Sequence, residues 1–245
     1  MEITGATGEK IETMAEWGKL YDSPRSSHQW KEHRSAYSVA EFVLMRKGAE
    51  ALRARVSEAI GEPVDFEKLV PEMEVRFDQF GRGRMHDLGI SGRTASGKTV
   101  FVGVEAKVDE PFGAPVRMVY LDAKRRRDAG ESTNAPARIE QLFKLHFGDR
   151  DPTTSEVRYQ LLYATAGTLA AGADISVLYI VVFKTPLYSE AAGEENYSDY
   201  LDFLDKVGAK PLGLSAHGAE GHTMLLGGKA LICLHEHIML APVEN

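Results

Sequence analysis

From Ser35 onward the apolar residues fall into a helical rhythm. Ala36, Val39, Ala40, Val43 and Leu44 recur at the spacing of one helix face, and the pattern continues through Leu52, Val56 and Ile60. Gly61, Glu62 and Pro63 end it. The texture then changes to period two. "EMEVRFDQF" at 72–80 alternates, and "MHDLGIS" and "TVFVGVEAKV" flank a glycine-rich segment. In the last run Val100, Val102, Val104, Ala106 and Val108 share one face, and Phe101, Gly103, Glu105 and Lys107 share the other. Three strands joined by short turns predict an antiparallel meander. Beyond Pro111 the chain reads as an irregular basic stretch, followed by two helices. One is "PARIEQLFKLHF"; the other is "SEVRYQLLYATAGTLAAG", with Ser155 as its cap and Gly172 as its stop. "ISVLYIVVF" at 175–183 is apolar on both faces, as a central strand is. "NYSDYLDFLDKVG" predicts a short helix and "KALICLHEHIML" a closing strand. The order predicts a single mixed α/β domain over 1–245, of which 1–34 is a polar N-terminal extension in which "DSPRSS" is a turn or cap signal.

Composition narrows the class. The 245 residues are 43% hydrophobic and 27% charged, ordinary for a globular protein. No segment has the length and apolarity of a membrane span, and the first residues lack a signal-peptide core, so a cytoplasmic location and no membrane partner are expected. The single cysteine, Cys233, excludes an intramolecular disulfide framework. A net charge of −7 weighs against a simple electrostatic nucleic-acid binder. Two clusters offer a local basic face: Arg82 and Arg84 in "FGRGRMHD", and Lys124, Arg125, Arg126 and Arg127 in "DAKRRRDAG". Each taken alone reads more simply as a solvated charged loop.

The stretch "GRTASGKT", Gly92 to Thr99, fits the phosphate-binding pattern G-x-x-x-x-G-K-[ST] at every required position. That pattern works only where a helix follows, because the helix N-terminus cradles the phosphates. Here "VFVGVEAKV" follows, a β-branched alternation that argues for a strand. A hairpin turn is the expectation, and a nucleotide hydrolase a distant one.

The hairpin brings three residues into one neighbourhood. Asp87 lies on its first arm, and Glu105 and Lys107 lie two apart on its second. That spacing puts the last two on one strand face at about 6–7 Å. Two carboxylates can hold a hard divalent cation, with the Ala106 carbonyl as a further oxygen donor. A lysine beside them can orient or deprotonate an attacking water and offset charge in the transition state. The plainer alternative is a same-face ion pair on a solvated sheet. Gly103, on the face of Glu105 and Lys107, leaves room for a ligand.

An acid, a turn, then an acid and a lysine two apart resembles the PD-(D/E)xK nuclease superfamily. "VEAKVDEPFG" and "VRYQLLYATAGTLAAG" are similar to uncharacterised bacterial members of it, over about residues 35–180. Met85 and His86 precede Asp87 where the named motif has proline, a departure many members share. The resemblance implies a restriction-endonuclease-like core, a central mixed β-sheet flanked by helices. It implies hydrolysis of phosphodiester bonds with Mg2+, or Mn2+ in its place, a nucleic-acid partner with DNA foremost, and room for a homodimer that makes two cuts. It also implies that Glu41, on the first core helix, reaches the metal. Ser38-x-x-Glu41 equally has the spacing of a capping box. Gln160 and Arg158 would stand near the scissile phosphate, and the basic clusters would hold the backbone. Asp109 and Glu110 extend the acidic strand end. His235 and His237 share a strand face but lack a third ligand at metal spacing. The competing expectation is a protein that keeps the nuclease fold and binds without turnover.

Overall fold

A strand that is apolar on both faces needs cover on both, and this requirement organises the chain. In the computed structural model, which describes residues 1–23, 27–214, 216 and 218–240, β5 (Ile175–Lys184) runs through the middle of an eight-stranded sheet. Its odd-numbered residues, Val177, Tyr179, Val181 and Phe183, enter one core, and Leu178, Ile180 and Val182 enter the other. The remaining strands are β1 (Glu2–Ile3), β2 (Val64–Val75), β3 (Arg84–Thr94), β4 (Thr99–Lys107), β6 (Lys210–Leu214), β7 (Glu220–Leu226) and β8 (Lys229–Met239). They lie in the order β1-β2-β3-β4-β5-β8-β7-β6. β2, β3 and β4 form the antiparallel meander, β5 is parallel to both β4 and β8, and β6 and β7 close the far edge antiparallel. The sheet is therefore mixed.

Helices cover both faces. The first core takes α1 (Met14–Gly18), α2 (Ser35–Met45) and α3 (Gly48–Ile60); the second takes α4 (Val116–Asp128), α5 (Ala135–Phe147), α6 (Tyr159–Ala170) and α7 (Glu190–Lys206). The helical rhythm read from Ser35 is interrupted once, at Lys47, whose left-handed backbone (φ 54°) separates α2 from α3. The predicted two-faced character of β4 holds, with Val100, Val102, Val104, Ala106 and Val108 all in the first core.

Several expectations are corrected. Residues 1–34 are not a polar extension: Ile11, Trp17 and Tyr21 are buried in the first core, and β1 pairs with β2. The reason is that three widely spaced apolar residues dock on a surface built elsewhere, without any periodicity of their own. The turn at "DSPRSS" lies partly outside the described residues. The first strand runs 64–75 rather than 72–80. The basic stretch after Pro111 is not irregular but helical, because Val116, Tyr120 and Ala123 give α4 a narrow buried stripe beneath its charges. Ser155 does not cap α6, whose N-cap is Arg158. The short helix read at 196–208 begins at Glu190, behind a Ser189 cap, and the β6–β7 hairpin was not foreseen.

"GRTASGKT" is the turn between two strands. Thr94 and Gly97 close it through backbone hydrogen bonds, Gly97 sits at φ 88°, and Lys98 is exposed. No helix follows it, so the phosphate cradle is missing.

Trp17, fully buried on a helix of five residues, tests the place of the N-terminal segment. Trp17→Ala is expected to cost about 3–5 kcal/mol, the usual penalty for emptying an aromatic site in a core. Urea unfolding reads it, and a loss below about 1 kcal/mol would mean that the segment is merely an appendage.

Candidate functional site

The β3–β4 ladder ends at Leu88 and Val104. Beyond it the Asp87 carboxylate accepts from the Ala106 amide at 2.7 Å, next to Glu105 in the chain. Both acids open onto a cleft of about 1240 Å³. Lys107 lies on its floor, with Nζ 3.0 Å from Glu105 Oε1 and 3.2 Å from Gln160 Oε1. Gln160, in the first turn of α6, also donates through Nε2 to Glu105 Oε1. Asp87, Glu105 and Lys107, which the hairpin pattern set in one neighbourhood, thus line one cleft, and Gln160 joins them from α6.

Glu105 is almost sealed, at 2% exposure. A buried carboxylate is tolerable only when its charge is matched and its oxygens are bonded. Arg84 supplies the second cation, donating from its guanidinium to Glu105 Oε2. Burial pushes the Lys107 ammonium below its ordinary value, and the Arg84 charge adds to the fall while Asp87 opposes it.

A further acid escaped the sequence reading. Glu72 lines the cleft on β2, and the flanking pairs Pro71–Leu88 and Met73–His86 set it across from Asp87. Its backbone is left-handed at φ 49°, a conformation that costs energy for any residue but glycine. The signal was Pro71, which inside a strand marks an edge or a bulge. Here β1 covers only Lys68 and Leu69, leaving Pro71 at an open edge. Tyr21, also unforeseen, donates its hydroxyl to Glu72 Oε1 at 2.5 Å. Burial, then the Asp87 charge, pushes the Glu72 carboxyl up to about 7.

Other expected residues stand elsewhere. Glu41 neither caps α2 nor reaches the cleft: the N-cap is Arg34, Ser38 is buried inside the helix, and Glu41 accepts from Arg46 Nε and a terminal nitrogen at 2.8 and 2.6 Å. Arg84 is an internal counter-ion rather than a free phosphate contact. Arg158 is held by Asp199 and Glu195 at 2.7 and 2.9 Å, stapling the start of α6 to α7. Lys124, Arg125, Arg126 and Arg127 lie on α4 and do not line the cleft; Arg125 pairs with Asp122 and Arg126 with Glu131. Of the expected basic residues only Arg82 is exposed at the cleft. The rest of the rim comes from the N-terminal segment, in His28, Lys31 and Arg34, the last paired with Asp109 at 3.4 Å. Glu110 lines the cleft too, its carboxylate held by the Val108 amide and the Ser35 hydroxyl. His235 is buried, its pKa driven down to about 3 by burial, and it stacks on Tyr200.

Among the described residues, no three His, Cys, Asp or Glu side chains form a group that could hold a metal ion as they stand. The donors on the cleft floor are nonetheless oxygens, the carboxylates of Asp87 and Glu105 beside the Ala106 carbonyl, which suits magnesium and not a thiolate- or imidazole-seeking metal. What stands against a ready-made site is that Glu105 spends both oxygens on Arg84, Lys107 and Gln160.

Fold and site define an α/β protein with an eight-stranded mixed sheet, helices on both faces, and a deep polar cleft at one end of its central hairpin. Residues 10–232 match the family described as "Domain of unknown function (DUF6946)", and the chain belongs to that family. Neither the curated proteins nor the solved structures contain a match to it. No helix of the described residues is long and apolar enough to cross a membrane.

The Glu72 carboxyl gives a pH signature. Its folded value, about 7, lies above its ordinary 4.5, so the folded state holds the proton more tightly. The resulting stabilisation is complete below about pH 4.5 and is lost as pH rises through 7. Glu72→Gln should remove this dependence, gaining on the order of 2 kcal/mol relative to wild type between pH 5 and pH 8. Paired thermal melts across that range test it; parallel curves for the two proteins would show that Glu72 ionises normally.

Proposed function

We propose that the chain is a metal-dependent nuclease of the PD-(D/E)xK type, with a restriction-endonuclease-like core, hydrolysing phosphodiester bonds with DNA as the foremost substrate. The observation that carries this reading is the convergence of Asp87, Glu105, Lys107 and Gln160 on the floor of one cleft, from two strands and a helix. A surface ion pair on a solvated sheet would not be buried, would not recruit a helix, and would not open onto a cleft.

Asp87, Glu105 and the Ala106 carbonyl would hold the magnesium ion, with manganese as its substitute. When bound, the ion supplies charge for the phosphate oxygens and lowers the pKa of water. Lys107 then orients the attacking water and takes up or returns its proton, which its burial-lowered pKa favours. Gln160 fixes the position of the lysine nitrogen. Arg82, with Lys31 and Arg34 on the rim, contacts the phosphate backbone without reading bases. The proposal extends to a cytoplasmic location and leaves room for a homodimer.

One observation favours a second reading. With Glu105 fully engaged, a chain of this fold can bind nucleic acid and not cut it. A single experiment separates the two. Wild type, Lys107→Ala, Glu105→Gln and Lys98→Ala are incubated with plasmid, linear and single-stranded DNA in magnesium or manganese. Metal-dependent cleavage should fall by about 10²-fold or more in the first two variants and persist in Lys98→Ala, since Lys98 lies in the exposed turn. Cleavage unchanged in Lys107→Ala would point to a contaminant. Binding without cleavage by wild type would establish the second reading.

A further inference from the structure

Arg84 is built into the cleft floor at several points. Its Cβ lies against Gly167 of α6, where an added Cβ would come within 2.7 Å of it, so the helix keeps a glycine at the place where the arginine crosses. The guanidinium carbon stands 4.9 Å from the centre of the Tyr163 ring, and the side chain is only 10% exposed. One terminal nitrogen donates to Glu105 Oε2, while Nε has no hydrogen-bond partner among the described residues. A permanent positive charge thus occupies one oxygen of the carboxylate on which a divalent ion depends. Lys107 and Gln160 occupy the other.

We propose that Arg84 is an intramolecular competitor for the divalent cation, compensating Glu105 while no ion is bound and lowering the affinity of the cleft for metal. Like charges gathered at one carboxylate in a water-poor site repel strongly. A lysine can relieve such repulsion by losing its proton; an arginine cannot. The conflict therefore falls on the metal, which binds only as Arg84 yields its oxygen. This inference rests on the metal-dependent reading above, and its test distinguishes failure of the one from failure of the other.

Manganese binding to the full chain is measured by the electron paramagnetic resonance signal of free Mn2+. The proteins are wild type, Arg84→Met, Arg84→Lys and Asp87→Asn, the last marking binding at the cleft. Arg84→Met should bind at least about tenfold more tightly than wild type, because the repulsion between guanidinium and metal ion is gone. Arg84→Lys, with a shorter reach to Glu105, should fall between the two. Binding by Arg84→Met where wild type shows none supports the inference equally. Affinities equal to or weaker than wild type in both variants overturn it and leave the metal reading standing. No binding by any of the proteins overturns both. Removing a partner from a buried carboxylate can unfold a protein, so melts are run with and without Mn2+. If Arg84→Met melts cooperatively only with the ion present, the inference is supported; if it stays unfolded, Arg84→Lys binding no more tightly than wild type overturns it.

Discussion

The Glu105 carboxylate is buried at the end of a central strand, and no buried charge survives in a protein interior without matching charge and hydrogen bonds. This constraint ties the cleft end of the molecule together. Arg84 comes from the neighbouring strand, Lys107 from the same strand, and Gln160 from the first turn of α6. Each is drawn to the same two oxygens. The glycines at 103 and 167 belong to the same solution, since side chains there would collide with His86 and Arg84. Replacing Glu105 leaves two buried cations without their counter-charge, and replacing any partner leaves a carboxylate oxygen with fewer hydrogen bonds, so these positions behave as a unit rather than as separate contacts.

Around that unit the fold supplies asymmetry. The first core, beneath α2 and α3, is aliphatic along β4. At the strand ends Glu105 and Lys107 leave that core for the other face, and the cleft opens between them and the N-terminal segment. The N-terminal segment completes this opening by crossing to β2, bringing the Tyr21 hydroxyl to Glu72 and basic side chains to the rim. Glu72 holds a left-handed backbone in mid-strand, and the energy this costs is met by packing around it. The same acid is raised in pKa by its burial and by the Asp87 charge across from it.

Parts of this were legible in the residues alone. The meander, the central strand and the paired Glu105 and Lys107 follow from period-two alternation, which directly reports the two faces of a strand. The match of "GRTASGKT" to a nucleotide site failed for the same reason, because alternation after it excludes the helix that the site needs. Which basic residues reach the cleft was not legible, and the cause is geometric. Sequence shows that Lys124 to Arg127 are charged, but only the packing of α4 on Val116 and Tyr120 turns them away from the cleft. Arg158 and Glu41 likewise found partners distant in the chain or on the next turn, and spacing could not reveal those.

The sequence by itself determined the periodicities, and through them the helices α2, α3, α5 and α6, the meander, the central strand and the two faces of β4. These are consequences of local backbone geometry, which repeats every few residues. Tertiary structure alone decided which polar groups distant in the chain meet. Arg84 and Glu105 are 21 positions apart, Lys107 and Gln160 are 53 apart, and Tyr21 and Glu72 are 51 apart. Whether a charged side chain serves as a counter-ion, a ligand or a solvated surface group depends on what the folded chain sets against it, and no local pattern carries that information.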